Sequence, residues 1–260
     1  MSEHEDLERL LAERGPWTAA YIDGPSDLPE PDELARRRRV GESVEGAGAP
    51  DADVTAIAEA IAAQTGMASP STRYLLVRDG RVELDQSFAG PRHGPETFRH
   101  GPVPPLIPLL LHRSREAMSA GAGSADSADA GVDAEVSDAL DHAAEESHRR
   151  EGNGVREVVP LLQRAQVETL VLPDEAAASE RMLDALGAPP WVAEGDDDEY
   201  AADSIGWVSA ADALARAAIL TGARILVTAE HLEEGEPRPD RPQREVVAVL
   251  RWPTDPYPQE

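Results

Sequence analysis

Across residues 155–165 the apolar positions Val155, Val158, Val159, Leu162 and Ala165 recur at helical spacing, with Arg156, Glu157, Gln163 and Arg164 between them. From Val167 the period shortens. Val167, Thr169, Leu170, Val171 and Leu172 are nearly continuous and Pro173-Asp174 ends the run, which predicts an interior strand covered on both faces. The same order returns at residues 209–230. Ser209, with Asp212 three positions on, predicts a helix start, Gly222 its stop, and Ala223 to Ala229 a second buried strand. Residues 245–252, EVVAVLRW, supply a third. Helices alternating with apolar strands predict an α/β domain whose sheet is hidden between layers.

The first half carries the same two periods at a smaller scale. Residues 4–14 predict a short helix with Leu7, Leu10 and Leu11 inward, stopped by Gly15-Pro16, and Trp17 to Asp23 a strand that turns at Gly24-Pro25-Ser26-Asp27. Two helices follow: a mostly polar one at 32–45, and one at 51–64 with Val54, Ile57, Ala58 and Ile61 on its inner face. In RYLLVRDGRVELDQSF, residues 73–88, two β-rich runs flank Asp79-Gly80, the pair that supplies positive φ for a two-residue hairpin. Residues 91–108 contain six prolines and predict an extended loop, with Leu106 to Leu111 packing back as an edge segment.

Residues 113–134 are Ala, Gly, Ser and Asp with almost nothing to bury, the composition of a flexible acidic linker. The chain therefore divides into an N-terminal α/β domain (1–112), a linker (113–134) and a C-terminal α/β domain (135–260). The expected fold class is α/β, two small domains.

Charge narrows the function classes. The 24 basic residues, all Arg, face 50 acids for a net charge of −26, and each of the three stretches is itself acidic. Nucleic-acid binding draws much of its affinity from cations neutralising phosphates, so direct RNA binding by a whole domain is unfavourable. Cysteine is absent, which excludes disulfides, thiolate chemistry and Cys-ligated zinc. The opening MSEHEDLERLL is acidic and amphipathic rather than a signal peptide, and no apolar run is long enough to span a bilayer; a cytoplasmic protein is expected.

Three stretches carry a family resemblance: QVETLVLPDE at 166–175, VVAVLRW at 246–252, and GPWTAAYID at 15–23. The first two resemble the "AVETLL" and "GIAALLRY" strands in the last domain of the archaeo-eukaryotic release factor and Pelota family. The third resembles the N-terminal strand of its bacterial, actinobacterial-type branch. For residues 135–253 the resemblance implies the fold of kink-turn-binding ribosomal proteins. Relatives with three domains carry a glycine–glutamine catalytic element on a central RNase H-like domain, for which this chain has no room. None of its glutamines, Gln64, Gln86, Gln163, Gln166, Gln243 or Gln259, follows a glycine. The resemblance thus implies a release-factor-like protein without its catalytic middle, associated with the ribosome or a translation GTPase and acting through protein docking by the C-terminal domain. The alternatives are a peptidyl-tRNA hydrolase-like enzyme and an acidic adaptor or self-associating protein unrelated to ribosomes.

Candidate site chemistry is sparse, and no catalytic residue, cofactor or metal ligand is expected. Arg36, Arg37, Arg38 and Arg39 form the only basic run and could contact ribosomal RNA or an acidic partner. As four consecutive helix positions they point in all directions, and Glu30, Asp32, Glu33, Glu42 and Glu45 balance them as a solvated face. Trp191, after Pro189-Pro190, is a candidate half-exposed partner contact, whereas Trp17, Trp207 and Trp252 are expected to pack in cores. His93 and His100 lack a third ligand nearby and read as loop histidines; Asp196 to Glu199 lack the alternation of a calcium loop and read as a solvated acidic turn.

Overall fold

The computed structural model describes residues 3–24, 30–63, 68–122, 152–173, 181–195, 200–228 and 246–252. Its chain is mixed α/β and forms two compact units. One is continuous, Glu13–Leu109; the other joins Met1–Ala12 to Leu110–Glu260. The division expected near residue 112 therefore differs at the N-terminus, because the first helix, α1 (Glu3–Ala12), belongs to the second unit.

In the first unit, β1 (Trp17–Asp23), β2 (Ser71–Arg78), β3 (Arg81–Ala89) and β4 (Thr97–Gly101) form an antiparallel sheet in the order β3-β2-β1-β4. Alternation along the strands sends Ala20, Ile22, Leu75 and Val77 to one face. There they pack with Val40 and Val44 of α2 (Glu30–Gly46) and Ile57 and Ile61 of α3 (Asp51–Ala62). The opposite face holds Trp17, Tyr21 and Tyr74, all buried. The two tyrosine hydroxyls are satisfied: that of Tyr74 donates to the Pro105 carbonyl at 3.1 Å, and that of Tyr21 accepts from the His93 amide at 2.9 Å. The expected hairpin is present. Asp79 (φ 52°) and Gly80 (φ 73°) both lie in the left-handed region that the tight turn between twisted strands requires.

Three expectations for this half are corrected. Ala58 is exposed, and the inner face of α3 runs through Asp53, Ala56, Ile57 and Ile61, with Val54 half-buried against the same core. The proline-rich stretch is not loop throughout: the proline-free residues between Pro95 and Pro102 pair with β1 as β4. Leu106 to Leu111 form no edge segment but open α4 (Ile107–Ala122), which takes in residues 113–122 of the expected linker. Pro108 sits in its first turn, where a missing amide removes no helical hydrogen bond.

The second unit contains a four-stranded sheet, β10-β6-β11-β5, built from β5 (Gly152–Asn153), β6 (Val167–Pro173), β10 (Arg224–Thr228) and β11 (Val247–Leu250). Strands β6 and β10 are parallel, and β11 runs antiparallel to β6. The predicted helices are α5 (Val155–Gln163) and α6 (Ala210–Leu220). Ser209 caps α6, its hydroxyl accepting from the Asp212 amide at 3.2 Å. Both helices end alike. Past α5 the amides of Ala165 and Gln166 bond to the carbonyls of Leu162 and Leu161, and past α6 those of Gly222 and Ala223 bond to Ile219 and Ala218. Each motif needs one left-handed residue: Gly222 (φ 68°) supplies it in one, Ala165 (φ 54°) in the other. Arg251 ties the two ends together, with Nε donating to the Val167 carbonyl and Nη2 to those of Thr221 and Gly222.

Candidate functional site

Inserted between β6 and α6 is a small antiparallel sheet that the residue pattern does not predict, in the order β8-β7-β9: β7 (Met182–Leu186), β8 (Val192–Ala193) and β9 (Ser204–Ser209). Its strands are short and β9 contains Gly206, so the periodic signal is weak. The register sets Met182 opposite Ser209 and Asp184 opposite Trp207. With a two-residue side-chain period, Met182 and Trp207 become diagonal neighbours on one face, and Leu183 and Val208 face the core. Met182 is 45% exposed and Trp207 44%.

That exposure corrects the expected packing of Trp207, as does the 64% exposure of Trp252, which lies beyond the end of β11. An aromatic beside an apolar run is buried only if its own face of the strand is covered, and Trp207 points the other way from Val208. Asp184 on the Trp207 face is buried and satisfied, its carboxylate accepting the Ser204 hydroxyl. Arg181 beside Met182 pairs with Glu194 at 3.2 Å.

Trp191 is half-buried, with φ 73°, and its ring lies 5.5 Å from the guanidinium of Arg216 on α6. Arg216 is 2% exposed. Its Nε donates to the Leu11 carbonyl at 3.1 Å and its Nη1 to the Leu186 carbonyl at 2.9 Å, while Nη2 is buried without a partner. Burial pushes the guanidinium down to about 10, still charged at neutral pH. Leu11 is in the last turn of α1, so Arg216 satisfies a carbonyl that the helix leaves without an internal partner.

Of the arginine run, Arg36 is buried: it grips Glu33 through Nε (2.8 Å) and Nη2 (3.0 Å), and its Nη1 donates to the Asp23 carbonyl. Arg37 shares Glu33 at 2.9 Å, and only Arg38 and Arg39 are exposed. These bonds, that of Arg36 first, hold the Glu33 carboxyl below its ordinary value. The run thus splits into two residues committed to Glu33 and two facing outward, and Trp191 lies in the other unit.

A third cluster had no sequence signal. The Thr18 hydroxyl donates to Asp53 Oδ2 at 2.5 Å and lies 2.9 Å from His100 Nδ1, while Asp53 Oδ1 accepts the Gly80 amide at 2.7 Å. The single hydroxyl proton is given to Asp53, so the His100 Nδ1 must carry the other proton and donate. Thr18 is completely buried, which keeps its hydroxyl from any substrate. His100 stands in β4 rather than a loop. Among the described residues no three His, Asp or Glu are grouped to hold a metal ion, and no helix is long and apolar enough to cross a membrane. The acidic turn at Asp196 to Glu199 lies outside the described residues.

No protein-family model matches this chain, and no curated protein matches it.

Proposed function

We propose that this protein is a non-catalytic, release-factor-like factor that docks a ribosomal protein or translation GTPase through its second unit. The observation that carries this reading is the Met182–Trp207 pair: two large apolar side chains, nearly half exposed, at diagonal positions on one face of a short sheet. Trp and Met are enriched where proteins meet, because a large apolar or polarisable side chain contributes much contact area at small ordering cost. The polar clusters described above are spent on the fold itself: Arg216 on backbone carbonyls, Asp53 on Thr18 and Gly80, Arg36 on Glu33. The translation partner comes from the resemblance of 166–175 and 246–252.

Co-sedimentation tests the reading. Tagged full-length protein is expected to travel with ribosomes or to capture a translation GTPase from native lysate at low and moderate salt. Replacing Met182 and Trp207 together by Ala is expected to remove most of that signal without lowering the melting temperature. Absence of the wild-type protein from both fractions overturns the proposal.

A further inference from the structure

The two edges of the small sheet differ. At one, the Gln163 side-chain amide on α5 donates to the Val192 carbonyl of β8 at 2.9 Å, so that edge is capped. At the other stands β9, which among the described residues pairs with β7 alone. The Ala210 amide donates to the Arg181 carbonyl at 2.8 Å, which makes residues 206, 208 and 210 the ones that bond inward to β7. The N–H and C=O of Trp207 therefore point away from β7, as does the Ser209 N–H. Among the described residues nothing pairs with these three groups. Unpaired strand groups are a template for another strand, and SIGWVS carries neither a charge nor a proline to blunt them.

A strand laid antiparallel on this edge sets one residue directly opposite Trp207, on the face that carries Met182 at the diagonal position. Trp207 and Met182 are 44% and 45% exposed, so an apolar residue there covers both. The surroundings set the charge. Residues 194–203, which lead into β9, contain six acids and no basic residue, and Asp203 at the head of the strand is exposed. Arg181, next to β7, is engaged by Glu194. Positive charge between the apolar positions of the incoming strand meets this field favourably.

We propose, resting on the docking reading above, that β9 is completed by an extended, basic strand of the partner protein. It joins edge to edge through the Trp207 N–H and C=O and the Ser209 N–H, with an apolar residue against Trp207.

Titration of the full-length protein with a synthetic peptide of alternating Val and Arg is the test, read by calorimetry and amide NMR. The expected result is saturable binding that protects the Trp207 and Ser209 amides from exchange. Two N-methylated versions of the peptide report the register. A residue opposite Trp207 turns both its N–H and its C=O to β9, so methylating the Val nitrogens is expected to weaken binding by about tenfold, and methylating the Arg nitrogens to change it little. Any other order of the two, equal loss included, overturns the proposal, as does equal binding of a Val and Glu peptide or no binding at all. Ribosome or GTPase capture without peptide binding removes the strand and leaves the docking; failed capture removes the docking whatever the peptide does.

Discussion

The hydroxyl of Thr18 on β1 and the carboxylate of Asp53 in the first turn of α3 stand 2.5 Å apart, both fully buried. Asp53 also holds the Gly80 amide at the β2–β3 turn, so one carboxylate fixes a helix to two parts of the sheet. Removing it orphans one or two buried groups at ~1–3 kcal/mol each, and Asp53→Ala is expected to cost about 2–4 kcal/mol. Thr18→Val leaves the carboxylate one donor short and is expected to cost ~1–3 kcal/mol. The double variant in urea denaturation should show a coupling of about 0.5–3 kcal/mol. Simple additivity would mean that the bond is absent in solution.

The two helix ends invite a matched pair of substitutions. Ala165 pays for a left-handed backbone that Gly222 adopts without strain. Ala165→Gly is expected to stabilise by ~1 kcal/mol and Gly222→Ala to destabilise by a similar amount, read as opposite shifts in denaturation midpoint.

Glu33 has a carboxyl held below 4.5 in the folded chain, chiefly by Arg36. A lowered folded value means that the contribution is present above pH 4.5 and lost as pH falls through the folded value. A carboxyl titration by NMR should place the Glu33 midpoint below 4.5 and return it toward 4.5 in Arg36→Met. A wild-type midpoint at or above 4.5 contradicts the arrangement.

Arg216 is a buried cation held by carbonyls. Arg216→Met relieves its desolvation but strips the Leu11 and Leu186 carbonyls of their donor, for an expected net loss of ~1–3 kcal/mol at pH 7. Amide exchange in α1 should quicken in the same variant. With burial lowering the guanidinium to about 10 in the folded chain, well below its ordinary value, the desolvation cost is complete below pH 10. Above pH 10 the unfolded chain binds more protons than the folded one, so wild type should gain stability relative to Arg216→Met as pH rises past that value.

What could be read from the residues was local chemistry. Asp79-Gly80 announces its hairpin, Ser209 with Asp212 its cap, Gly222 its stop, and Leu7, Leu10 and Leu11 their stripe, because each signal lies within a few residues of its effect. The seat of α1 could not be read, since the residue that holds Leu11 lies 205 positions away. Proline density hid β4, although the prolines only bracket it. Trp207 and Trp252 were expected inside on the company they keep in sequence, which says nothing of which face of a strand is covered. Asp53 and Thr18 gave no warning for the same reason, as a buried polar pair becomes visible only when both halves are placed.

The interrupted second unit also sets a timetable. During synthesis α1 leaves the ribosome long before α6, and at 5–20 residues per second the gap between Leu11 and Arg216 amounts to about 10–40 s. For that interval the helix has no partner of its own, while the first unit, whose sequence is continuous, can already close. The leucine stripe of α1 thus stays without its native cover until α6 has been made.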